Sequence, residues 1–221
     1  NGTVAISTTG LVKVSGVSPN TSSTATITTT QTGYGNGSAQ ISATGLNAAN
    51  SPAFGAPTAT ADGFTVQISN YDANFTYAGT ATAGSVSIDG SGLVTISGVA
   101  ANTSSTATIT TTQTGFANGS APVVATSLLA ANTPAFDTAT PTPDGYTVQI
   151  NNYNGAFNYG GTATAGGSVT ISGSGLVTVT GVAANTSSTA TITTLRTNYA
   201  NGSSSVAATS LTPPPPPPTT K

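Results

Sequence analysis

Ionic chemistry in this 221-residue sequence would have to come from eight side chains: Lys13, Arg196 and Lys221 against Asp62, Asp72, Asp89, Asp137 and Asp144. There is no Glu, His, Cys, Met or Trp. That leaves no residues for a nucleophile–base triad, a zinc site or a general base tuned near neutral pH. Hydrolysis by paired carboxylates needs two acids held close together, and these aspartates are scattered. A Ca²⁺ site takes six to eight oxygens with several carboxylates among them, and no such cluster is visible. A net charge of −2 offers no basic stripe for phosphates, which argues against nucleic acid. The expectation is a chain with no catalytic residue, no metal and no cofactor, and no enzyme activity.

Two further residue classes could do chemistry. Asn-x-Ser/Thr sequons occur at Asn1, Asn20, Asn36, Asn74, Asn102, Asn118, Asn185 and Asn201, and could carry N-glycans in a glycosylating host. Thr219 and Thr220 are the corresponding O-glycan candidates. Turn residues copied by duplication explain most of these sequons equally simply. The aromatics could form a sugar-stacking shelf, but Phe54, Phe64, Tyr71, Phe75 and Tyr77 recur as Phe136, Tyr146, Tyr153, Phe157 and Tyr159. Tyr34, Phe116 and Tyr199 form one more equivalent set. Core or linker packing is the expected role, with the Phe/Tyr swaps marking the hydroxyl as dispensable.

The elements that must position these residues come from one repeated stretch. NTSSTATITTTQTGYGNGS at Asn20–Ser38 returns at Asn102–Ser120 and Asn185–Ser203, in steps of 82 and 83 residues. The array divides into an incomplete repeat at 1–48, complete repeats at 49–130 and 131–212, and a proline-rich tail at 213–221. The first repeat lacks the counterparts of Ala49–Thr82. Period-two alternation and turn residues place seven short strands in the second repeat, roughly at Phe54–Thr60, Phe64–Ser69, Asn74–Ala83, Ser85–Ile88, Leu93–Ser97, Ser104–Gln113 and Ala121–Leu128. No stretch has a helical apolar period. Asp62-Gly63 and Asp144-Gly145 read as turns, and Asn118-Gly119 as a tight hairpin turn. Ala107, Ile109, Val94 and Ile96 face a core, whereas Thr106, Thr108, Thr110 and Lys13 meet water. The fold class is all-β: tandem sandwiches of about seven strands each.

Only 4% of the residues are charged, where a typical domain carries about 25%. Thr, Ser, Asn and Gly supply the polar surface, which fits an exported, surface-exposed protein. No apolar run reaches the roughly 20 residues of a membrane span. Asn1 stands where an initiator Met would be, so a mature or partial segment of something longer is expected. The repeats join through short apolar linkers, GLNAANSPAF and SLLAANTPAF, which favour a fixed orientation. Pro213–Pro218 impose an extended polyproline II spacer.

At VSPNTSSTATITTTQTGYGNGSA the chain resembles the end of a fibronectin type III domain: Val17, Pro19, Thr21, Ile27 and the Gly37-Ser38 turn match. It is also similar to the Ig-like or fibronectin-like repeats of large bacterial surface proteins, with their Thr-Gly-Tyr-x-x-Gly-Ser pattern. The resemblance covers all three repeats but not the tail. It departs at the usual corner tyrosine, here Ser23, Ser105 or Ser188, and in lacking a core Trp.

Tandem sandwiches make a rod in which each repeat chiefly contacts its neighbours. Without its opening strands, the first repeat would expose one face of its core and open strand edges. Either upstream residues or a neighbouring chain supply those strands. The expected role is a structural subunit of an extracellular bacterial filament, fibril or surface stalk that self-associates with identical chains by strand complementation. The alternative is a stalk or a carbohydrate-binding or adhesin module, with glycans as partners, in a larger cell-surface protein.

Overall fold

A computed structural model describes residues 2–212, and every regular element in it is a β-strand. The polyproline expectation, Thr219, Thr220 and Asn1 lie outside the described residues. The first repeat contributes β1 (Thr3–Ile6), β2 (Val12–Ser15), β3 (Ser22–Thr29) and β4 (Gly37–Thr44). The second contributes β5 (Thr58–Thr60), β6 (Gly63–Gln67), β7 (Thr76–Ala81), β8 (Ser85–Ile88), β9 (Leu93–Ser97), β10 (Ser104–Thr112) and β11 (Gly119–Thr126). The third contributes β12 (Thr140–Thr142), β13 (Gly145–Gln149), β14 (Asn158–Ala163), β15 (Ser168–Ile171), β16 (Leu176–Thr180), β17 (Ser187–Leu195) and β18 (Gly202–Thr209).

The third repeat shows the complete architecture. Alternation of β-branched and small polar residues gives each strand one apolar face. In β17, Ser188, Ala190, Ile192 and Thr194 are buried while Thr189, Thr191 and Thr193 point outward. Two antiparallel sheets pair these faces, ordered β12-β13-β16-β15 and β14-β17-β18. With the seven strands lettered A to G, the orders are A-B-E-D and C-F-G, those of a constant-type immunoglobulin sandwich. Tyr146, Val148, Val177 and Val179 from the first sheet meet Ala190 and Ile192 from the second in one core. Each valine or isoleucine among them, removed from water, contributes about 1.5–3 kcal/mol. The second repeat has the same orders, β5-β6-β9-β8 and β11-β10-β7.

Glycine is required where β13 meets β16. A Cβ on Gly145 would be driven into the backbone carbonyl of Val179. The Asn-Gly reading of the hairpin loop needs correction. Neither Asn118 nor Gly119 has a positive φ; the chain reverses at Thr114-Gly115, with Gly115 at φ 85° and its third-repeat counterpart Asn198 at φ 66°. The loop spans residues 113–118, longer than a two-residue turn. The first strand is also shorter than expected: Phe54 makes only an isolated bridge to Ile68, and β5 begins at Thr58.

The described residues form two compact units. One comprises 2–57, 65–96 and 106–124, and the other 58–64, 97–105 and 125–212.

Candidate functional site

Each linker is hydrogen-bonded to the sandwich that follows it. The Leu129 N–H donates to the Asn198 carbonyl (2.9 Å), and the Ala200 N–H donates to the Leu129 carbonyl (2.9 Å). Three residues on, the buried Thr194 hydroxyl donates to the Asn132 carbonyl (2.7 Å). The same contacts recur earlier. Asn47 donates to Gly115 (2.9 Å) and accepts from Ala117 (3.0 Å), and the Thr111 hydroxyl donates to the Asn50 carbonyl (2.7 Å). Gly119 and Gly202 begin β11 and β18 because a Cβ there would strike the Asn50 or Asn132 carbonyl, each 2.6 Å away. Thr194→Val should therefore cost about 1–2 kcal/mol, because a buried carbonyl loses its donor. Denaturant unfolding would measure that, and limited proteolysis should cut faster near residues 129–134.

The first repeat presents the opposite situation. Its hairpins have the third repeat's registers: Val4↔Val14 and Ile6↔Val12 match Val169↔Val179 and Ile171↔Val177. Ser22↔Thr44 through Thr29↔Gly37 match Ser187↔Thr209 through Thr194↔Gly202. Among the described residues, however, β2 pairs only with β1, and β3 only with β4. Their counterparts each have a second neighbour, β13 on β16 and β14 on β17.

The apolar face is exposed accordingly. Val177 and Val179 are 0% exposed, whereas Val12 and Val14 are only half-buried. Ile41 is 60% exposed and Tyr34 73%. The counterparts of Tyr34 pack edge-on against a phenylalanine: Phe116 on Phe75 at 5.1 Å and Tyr199 on Phe157 at 5.0 Å. No such ring exists in the first repeat. Val12, Val14, Val17, Ser23, Ile41 and Ala43 line a groove of about 420 Å³ between the two hairpins. No charged residue lines it, and Ser15, Ser23 and Thr44 stand among the apolar side chains.

The other candidates take structural places. Asp89 accepts from the Ser91 hydroxyl and from the Ser91 and Leu93 amides, and these bonds hold its carboxyl below the usual carboxylate range. Ser172 and Ser7 accept the equivalent amides of Leu176 and Leu11, so the carboxylate serves a turn. Asp62 and Asp144 accept from Thr60 and Thr142, Asp72 from Asn74, and Asp137 from Asn151. Among the described residues, no three His, Cys, Asp or Glu side chains gather. Asn20, Asn36, Asn74, Asn102, Asn118, Asn185 and Asn201 are all exposed. Asn20, Asn102 and Asn185 sit at φ 51–54°, the left-handed turn geometry that asparagine tolerates.

The aromatics pack. Tyr71 stacks on Tyr77 at 4.9 Å, and Tyr153 on Tyr159 at 4.8 Å. The Tyr159 hydroxyl accepts from the Asn154 amide and the Asn132 side chain, tying strand, turn and linker together. Arg196, which drew no expectation from the sequence, lies 4.7 Å over the Tyr199 ring and 5.3 Å over Phe157. At the corner position, the Ser188 hydroxyl donates to the Thr164 carbonyl (2.8 Å), a local bond that a small residue can make.

The hydroxyl is not dispensable everywhere. Fully buried Tyr146 donates to the Val206 carbonyl (2.9 Å) and accepts from the Ala190 amide (3.0 Å). Burial raises its pKa above the ordinary 10.0, partly opposed by the Ala190 bond. The folded chain thus favours the neutral phenol, whereas the unfolded chain ionises near pH 10. This contribution is complete below pH 10 and is lost as pH rises towards the folded value. Tyr146→Phe should cost about 1–2 kcal/mol at neutral pH and flatten the loss of stability above pH 10 in urea titrations.

No family model and no curated protein matches this chain. Among solved structures, the chain is similar to protocadherin gamma B2 extracellular cadherin domains 3–6, at 13% identity and a TM-score of 0.26. The match covers 87% of this chain and 57% of that one. The fold assignment rests on strand order and register.

Proposed function

We propose that this chain is a non-enzymatic structural subunit of an extracellular bacterial filament, fibril or stalk, in which strands outside the described residues cover the first repeat's open face. The observation that carries this reading is the contrast between the same face at 0% exposure in β16 and half-open in β2. Open edges flanking an apolar groove invite strand addition, in which main-chain hydrogen bonds supply affinity and side-chain pockets supply specificity. The uncharged, threonine-rich surface supports the extracellular placement. Electron microscopy of the purified chain across a concentration series tests the proposal. Regular filaments are expected, and monodisperse monomers at high concentration would overturn it.

A further inference from the structure

The complete repeats hold three Asn-Gly pairs, Asn118-Gly119, Asn154-Gly155 and Asn201-Gly202. In such a pair the next backbone nitrogen can attack the asparagine side chain, because glycine puts no Cβ in the way. The fold treats the three differently. Gly119 and Gly202 are buried at the starts of β11 and β18, hard against the Asn50 and Asn132 carbonyls. Gly202 also sits in the ladder opposite Thr194. Closing a ring there would twist the first peptide of the strand out of its pairing. Asn154-Gly155 instead lies in the exposed turn before β14, closed by the Phe157 N–H donating to the Asn154 carbonyl (3.0 Å). The nearest atom to a Cβ placed on Gly155 is on the Tyr153 ring, 3.9 Å away. Among the described residues, neither the Gly155 N–H nor the Asn154 side-chain nitrogen is hydrogen-bonded. The Asn154 side-chain oxygen accepts from the Ala156 amide (3.0 Å).

We propose that Asn154 is a site of spontaneous deamidation in the folded chain, with water as the only co-reactant. The Gly155 nitrogen attacks Cγ of Asn154. The new C–N bond closes a five-membered succinimide, the Cγ–Nδ2 bond breaks, and ammonia leaves with the proton given up by the Gly155 N–H. Water then opens the ring. Addition at Cγ restores the chain as aspartate, and addition at the backbone carbonyl leaves isoaspartate. The Ala156 amide, donating to Oδ1, meets the negative charge that builds on that oxygen during the attack. The second repeat shows that this turn accommodates the product. Its counterpart residue is Asp72, whose Oδ1 accepts from the Asn74 amide (2.9 Å) in a turn closed by the Phe75 N–H to the Asp72 carbonyl (3.0 Å). Deamidation gives the third repeat the carboxylate that the second already carries. It also adds one negative charge to a chain whose net charge is −2.

The test holds the full chain at mildly alkaline pH, folded and in guanidinium, and follows each asparagine by peptide mass spectrometry. In guanidinium Asn118, Asn154 and Asn201 should convert at comparable rates, since all three precede glycine. In the folded chain Asn154 should convert at least about tenfold faster than either of the others. Gly155→Ala, which the open turn accommodates, should slow conversion at Asn154 and leave Asn118 and Asn201 as they were. Asn118 or Asn201 keeping pace with Asn154 in the folded chain overturns the proposal, as does an Asn154 that converts only in guanidinium. Asn154→Asp makes one product directly and should unfold at the same denaturant concentration as the parent chain. An earlier transition would contradict the turn's acceptance of a carboxylate.

Discussion

Tyr146→Ala should lower the stability of the third repeat by about 4 kcal/mol or more, the upper range for emptying a buried aromatic site. The ring is 0% exposed, on β13 between β12 and β16. Its loss opens a cavity in the core it shares with Val179 and Ile192 and leaves the Val206 carbonyl without its side-chain donor and the Ala190 amide without its acceptor. A domain of this size has a total stability of about 4–12 kcal/mol at 0.05–0.15 kcal/mol per residue. The single change therefore removes a third or more of what holds the sandwich. Urea unfolding should show an early transition for the variant. A shift below 1 kcal/mol would mean that the tyrosine is not the centre of this core.

Val14→Asp should raise the concentration needed for assembly by at least about a hundredfold, while leaving the unfolding of the complete repeats unchanged. In the isolated chain Val14 is half-buried, so a carboxylate there keeps part of its hydration. Under a further strand laid on β2 as β13 lies on β16, the charge would have no partner, at a cost of about 3–5 kcal/mol. Val179→Asp is the contrasting variant. The same substitution on a fully buried residue should unfold the third repeat in every state of assembly. Sedimentation across a dilution series, with melting curves on the same samples, separates the two outcomes.

Much of the fold was legible in the sequence because period-two alternation is local. The bounds of β8 and β9 agree with the expected Ser85–Ile88 and Leu93–Ser97, where glycines punctuate both ends. The inward placement of Val94, Ile96, Ala107 and Ile109 follows from the same period. What escaped depends on contacts distant in sequence. Thr111 and Thr194 continue the inward series after isoleucine, so their burial was readable, but their partners lie 61 and 62 residues away on the linkers. The Asn118-Gly119 pair looked like turn chemistry. Its glycine answers instead to the steric approach of Asn50, which no local pattern reveals. Tyr146 and Phe64 share one position, and that equivalence concealed a hydroxyl with two buried partners. The exposed face was legible, since comparing the copies shows which strands the first repeat lacks. The preserved hairpin registers, which set the shape of the groove, emerge only from the paired strands.

Amide hydrogen exchange, followed as the full chain is concentrated, tests the central claim most directly. In dilute solution the amides of β2 and β3 should exchange far faster than those of β16 and β17, because among the described residues each pairs with one strand where its counterpart pairs with two. On assembly their protection should rise to match the third repeat, with β1 and β4 changing less. First-repeat amides that stay unprotected in assembled material, or are already as protected as β16 in the dilute monomer, would contradict the account.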